Sequence, residues 1–108
     1  MEGFDKALVF REMATRKVVR AEVEYSGGND EGGADTIRLF HEDGHKEELE
    51  PYDNTDVLID QLSELPGLEY GSFAGDFSVS GTFVVDLATR SIKMDGQESS
   101  YEPVSREF

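Results

Sequence analysis

The sequence predicts a single α+β domain, an antiparallel sheet of four to five strands with two helices on one face. Three observations predict it. Residues 19–25, 79–87 and 91–95 alternate apolar and polar with a period of two, the mark of half-buried strands. Residues 57–65 carry one apolar stripe at helical spacing. The connections between neighbouring strand segments are short, which makes those strands antiparallel and leaves the helices to cover one face. A chain of 108 residues suits one domain. Hydrophobic content of 37% is low, but eleven aromatic residues (7 Phe and 4 Tyr) and the clean alternation point to a folded chain.

The elements follow in order. Phe4, Ala7, Leu8, Arg11 and Met13 stand at mixed helical spacing, so residues 4–16 read as a short amphipathic helix whose apolar face Val9 and Phe10 widen. Val19, Ala21, Val23 and Tyr25 then alternate with Arg20, Glu22 and Glu24 as a strand. Ser26 to Ala34 holds four glycines in nine residues and reads as a loop, because glycine weakens strands. Thr36 to Phe40 is the returning strand, and Asp43-Gly44 signals a tight turn between His41 and His45. Lys46 to Glu50 reads as a short third strand or as coil.

Asn54 or Thr55 is placed to cap the next helix, with Asp56 as a favourable anion at its positive end. Its stripe is Val57, Leu58, Gln61, Leu62 and Leu65, and Pro66-Gly67 stops it. Val79 to Leu87 and Ile92 to Met94 form a hairpin around the turn 86–90. The tail from Gly96 extends the last strand or frays. Phe73, Phe77 and Phe83 read as packing residues.

The strand VVRAEVEY, the segment SGGNDEGGADTI after it and the later hairpin GTFVVDLATRSIKMD resemble a family of small bacterial domains of unknown function. The resemblance spans roughly residues 18–37 and 67–96 and implies the same order of elements. Its motifs are structural, so it implies no catalytic residue. Asn29, Asp30 and Glu31 make the loop more acidic than the family pattern. In size, acidity and lack of cysteine the chain is also similar to anti-defence proteins of phages and plasmids, a group that includes anti-CRISPR proteins.

Charge is the most unusual property. Ten Lys and Arg face 24 Asp and Glu, for a net charge of −14 and a pI near 4.3. Residues 21–70 hold fifteen acids against Arg38 and Lys46, a net of −13, while residues 1–20 are net +2 and residues 71–108 net −3. Direct nucleic-acid binding is disfavoured, since phosphates demand a basic face. The absence of cysteine excludes disulfides, thiolate metal sites and a cysteine nucleophile. No apolar run approaches a membrane span and the start MEGFDKALVF lacks the pattern of a signal peptide, so a soluble, cytoplasmic protein is expected.

Nothing in the sequence activates a catalyst. Gly-x-Ser-x-Gly is absent, the Gly-rich segment lacks the Lys-Ser/Thr of a phosphate loop, and 24 carboxylates make close pairs by chance. The chain therefore reads as a non-enzymatic binding protein with no cofactor. Its expected partner is a basic nucleic-acid-binding protein, such as a CRISPR effector or other defence nuclease, whose cleft the acids occupy in place of phosphates. The expected contacts are Glu42, Asp43, Glu47, Glu48, Glu50, Asp53, Asp56 and Asp60, with Tyr52 as an aromatic anchor. The chain itself is a monomer or homodimer.

A second reading makes the segment 26–35 a small adaptor or Ca²⁺ module, with Asn29, Asp30, Glu31 and Asp35 offering oxygen ligands among glycines. His41 and His45, four apart, have the spacing of a helical zinc pair, but the turn between them argues against a helix and reads them as exposed turn histidines.

Overall fold

The structure is a computed structural model and describes residues 4–28, 31–52, 55–70, 78–98 and 102–107. The order of elements is α1 (Lys6–Thr15), β1 (Val18–Gly28), β2 (Glu31–His41), β3 (Lys46–Leu49), α2 (Val57–Ser63), α3 (Leu65–Tyr70), β4 (Ser78–Asp86), β5 (Ser91–Glu98) and β6 (Glu102–Glu107). All six strands join one antiparallel sheet in the order β3-β2-β1-β4-β5-β6. The domain is α+β, as expected. The tail supplies the sixth strand, since β5 runs on to Glu98 and β6 folds back along it from Glu98↔Glu102 to Lys93↔Glu107.

The period of two sorts the sheet into two faces. Ala21, Val23 and Tyr25 of β1, Ile37 and Leu39 of β2, Phe83 and Val85 of β4, and Ile92 and Met94 of β5 are buried on the helix side. Val9, Phe10 and Met13 of α1 and Leu58, Ile59 and Leu62 of α2 close over them. Val9 and Phe10, expected only to widen the stripe of α1, form its buried face, whereas Ala7 and Arg11 are exposed. The outer face is polar, and Arg38 of β2 pairs there with Glu24 at 2.9 Å and Glu48 at 3.0 Å.

The largest correction concerns residues 26–35. Residues 26–28 and 31–35 are strand rather than loop: β1 and β2 pair through Ser26↔Gly33, Gly27↔Gly32 and Gly28↔Glu31, and β4 pairs along the other side of β1 as far as Gly28↔Ser78. Glycine costs a strand roughly 0.5–1 kcal/mol per residue. Hydrogen bonding to two neighbours at once offsets that cost, because β1 is an interior strand. The expected ligand loop is thereby drawn out into two long arms. Asp35 lies at a shift in register between Glu24↔Thr36 and Tyr25↔Ala34, and its carboxylate accepts a 2.7 Å bond from the Ser26 hydroxyl. Asn29 and Asp30 lie outside the described residues, as do Phe73 and Phe77.

Two glycines explain how a tyrosine fits inside. Gly81 and Gly96 are partners across β4 and β5, and the Tyr25 ring lies against both. A Cβ on either would run into the Tyr25 hydroxyl. The ring also packs on Phe83, with centroids 5.1 Å apart.

The helix after the acidic segment starts one step later than expected. Asp56, not Asn54 or Thr55, is the N-cap: its Oδ1 accepts from the Leu58 N–H at 3.0 Å and the Ile59 N–H at 3.3 Å. Arg16 fixes the choice by reaching across from the end of α1 to the same carboxylate, 2.8 Å away. Val57, expected in the apolar stripe, is exposed, while Ile59 and Ser63 are buried. Pro66-Gly67 does not stop a helix either. The break comes at Glu64, and Pro66 sits in the first turn of α3, where its missing N–H costs nothing. Buried Gln61 links the helices, its Oε1 accepting the Asp5 N–H at the start of α1 at 2.6 Å.

Candidate functional site

The β2–β3 hairpin places most of the acids singled out from the sequence at one edge of the sheet. Its loop has three residues, Glu42, Asp43 and Gly44. The His41 N–H donates to the His45 carbonyl and the Gly44 N–H to the His41 carbonyl, both at 2.9 Å. Gly44 takes φ +95, the left-handed conformation such a loop requires at its last position. The Glu42 N–H donates to the Lys17 carbonyl at 2.8 Å, which fastens the loop to the chain leaving α1.

Alternation then divides the acids. Glu48 opposes Arg38 and faces outward with it; Glu47 opposes Leu39 and faces the helix side. Glu42, Asp43, Glu48 and Glu50 are exposed, Asp43 to 72% and Glu48 to 61% of the side chain. Asp43 also bonds His45, which holds its carboxyl below the usual range, first through the His45 backbone N–H and then through the ring. Glu47 is turned to His41, 2.5 Å from Nε2.

The remaining expected contacts do different work. Asp56 is spent on the α2 cap and on Arg16. The Arg16 guanidinium, more than the helix amides, holds its carboxyl below the ordinary 3.8. Asp60 lies in the first turn of α2, its N–H bonded to the Asp56 carbonyl at 2.8 Å. Asp53 lies outside the described residues.

Tyr52, expected as an aromatic anchor for a partner, is bonded within its own chain. Its φ is +65, its N–H donates to the buried Ser63 hydroxyl at 2.7 Å, and its own hydroxyl accepts the Ala34 N–H at 2.7 Å. The side chain covers Gly33, where a Cβ would strike the hydroxyl. It nonetheless remains 57% exposed, so it both pins the acidic segment to β2 and presents an aromatic surface beside it.

One grouping escaped the sequence reading. His41, His45 and Glu47 converge on the helix side of the hairpin, with ligand atoms all within 4.8 Å of one another. The histidine rings are stacked, centroids 3.8 Å apart and planes 8° from parallel. The signal was present: a three-residue loop sets His45 opposite His41, and residues 45 and 47 share a face by strand alternation. A separation of four means one turn in a helix, whereas across this hairpin it sets the two rings side by side. A cavity of about 370 Å³ adjoins the pair, lined by Arg16, Lys17, His41, Glu42, Asp43 and His45.

Among the described residues, no helix is long and apolar enough to cross a membrane. No protein-family model, curated protein or solved structure matches the chain.

Proposed function

We propose that this chain is a non-enzymatic binding protein that occupies the basic cleft of a nucleic-acid-binding protein, of the kind found among CRISPR effectors and other defence nucleases. The observation that carries the reading is the position of the acidic excess. The net −13 of residues 21–70 includes Glu42, Asp43, Glu48 and Glu50, which lie exposed along the β3 edge and the turns at its ends, with Tyr52 beside them.

The chemistry suits such a target. A carboxylate accepts bidentate bonds from arginine as a phosphate does, and one that already holds a single internal partner keeps further acceptor sites open. Steering between a charge of −14 and a basic cleft speeds association and weakens with salt. The edge position also guards the chain against pairing with its own copies, since charged side chains along an edge strand discourage sheet extension.

The reading narrows the contact set. Glu42, Asp43, Glu48 and Glu50 with Tyr52 are the working residues, whereas Asp56 is held by the fold and Glu47 by His41. The alternative, a Ca²⁺ or adaptor module on residues 26–35, draws no support from two arms paired in a sheet.

The test is a capture experiment with the tagged protein and bacterial lysate, eluted at rising salt and with competing DNA or RNA. The expected result is a basic nucleic-acid-binding protein released by salt and by nucleic acid. The triple change Glu42→Lys, Glu48→Lys, Glu50→Lys should abolish its recovery while leaving the circular dichroism spectrum unchanged. Recovery that survives the triple change sinks the proposal.

A further inference from the structure

We infer that His41, His45 and Glu47 form a binding site for a divalent first-row transition metal of the Zn²⁺ type. The site lies on the helix side of the β2–β3 hairpin, on the opposite face of β3 from Glu48, and its three ligands lie outside the proposed partner contacts, with Asp43 the one residue that serves both.

The donor set comes first. Two imidazoles and one carboxylate suit zinc, nickel, cobalt or copper, and suit Ca²⁺ or Mg²⁺ poorly, since those ions prefer sets of oxygen ligands. Three protein ligands leave a fourth position for water. The backbone then supplies rigidity. His41 and His45 are fixed as partners across a three-residue loop with two 2.9 Å hydrogen bonds, and that loop is tied to Lys17. Glu47 follows on the same face of β3.

The contacts within the cluster divide into two kinds. His41 Nε2 and Glu47 Oε1 form a 2.5 Å hydrogen bond, and a metal ion takes the place of the hydrogen between them. Asp43 instead bonds His45 Nδ1 at 2.7 Å, which leaves Nε2 as the ligand atom. A carboxylate behind a ligating histidine is the usual supporting arrangement in metal sites. Arg16 in the adjoining cavity is no obstacle, because Asp56 and Glu12 already hold its charge.

One movement is required. Two rings stacked 8° from parallel cannot both aim an in-plane lone pair at one ion. His41, only 14% exposed, is the fixed ligand; His45, 55% exposed, is the ring that turns, pivoting on its Nδ1 bond to Asp43. Metal binding therefore breaks the stack by rotating His45.

The test is isothermal titration of the full, tag-free chain with Zn²⁺ in a non-chelating buffer, with Ca²⁺ titrated in parallel. Expected is saturable one-to-one zinc binding and no comparable calcium binding. His45→Ala should remove it, and Asp43→Ala should weaken it about tenfold to a hundredfold. Glu48→Gln, one residue away on the other face, should leave it unchanged. In NMR spectra the His45 ring resonances should move on titration as the stack opens. No one-to-one zinc binding, equal binding of calcium, or a loss with Glu48→Gln matching that of His45→Ala each overturns the inference. Because the readout uses purified protein and no partner, its failure leaves the partner proposal standing, and the reverse also holds.

Discussion

Tyr25 and Tyr52 each lie over glycine in the same sheet, and they do so for opposite reasons. Tyr25 is buried on the helix side of β1, against Gly81 and Gly96, in a seat made of strand backbone. Tyr52 lies at the rim over Gly33, with its backbone held by Ser63 of α2. The inner seat belongs to the core and has no freedom. The outer seat is a strap that ties the acidic segment to the sheet, and its nearest obstacles are the strap's own atoms. Glycine within a strand thus marks a close approach in both places, while the backing of the seat decides how much a substitution costs.

The largest effect is expected at the inner seat. A Cβ at Gly81 would meet the Asp95 carbonyl, the Gly96 Cα at 2.5 Å and the Tyr25 hydroxyl at 2.7 Å. Backbone cannot step aside, so Gly81→Ala should cost about 3 kcal/mol in urea unfolding. Adding Tyr25→Phe should not restore it. Restoration would show that the tyrosine alone sets the limit and would erase the distinction between the two seats.

Next comes the helix that backs the outer seat. Asp56→Ala removes the cap of α2 and the partner of Arg16, at a cost of about 1–2 kcal/mol. Exchange of the Ala34 amide should quicken while the amides of the β4–β5 ladder stay protected. The same group gives a pH signature. Its folded pKa is depressed below 3.8, so its contribution is full above that value and is lost as pH falls through the folded pKa. Asp56→Asn should therefore flatten the acid limb of the stability curve and leave the neutral limb parallel to that of the unaltered chain.

The smallest effects lie in the strap itself. Tyr52→Phe leaves the Ala34 N–H without its acceptor, which should cost about 1 kcal/mol. Gly33→Ala should cost a similar amount, and it should couple to Tyr52. The three atoms nearest the new Cβ all belong to that side chain. In a double-mutant cycle Gly33→Ala with Tyr52→Ala should cost less than the sum of the two. Strict additivity would mean that the strap does not rest on Gly33.

Local patterns were legible wherever one strand or helix face decides burial. The alternation at 19–25, 79–87 and 91–95, the Asp43-Gly44 turn and the helix from Val57 are all legible from residues that differ from their immediate neighbours. The N-cap was not legible, because Asp53, Asn54, Thr55 and Asp56 are all good caps. Arg16, 40 positions earlier in the chain, selects Asp56. The candidate metal ligands were visible as residue types, but their convergence needed the hairpin register.

The sequence by itself determined the α+β class, the two best strand patterns and the acidity of the middle fifty residues, because these depend on composition and on periods of a few residues. Tertiary structure decided the rest. It turned residues 26–28 and 31–34 into paired strands, since β1 bonds a neighbour on each side and that pairing outweighs a poor local propensity. It also sent Glu47 and Glu48 to opposite faces of one edge, since a pleated strand alternates its side chains whatever their charge.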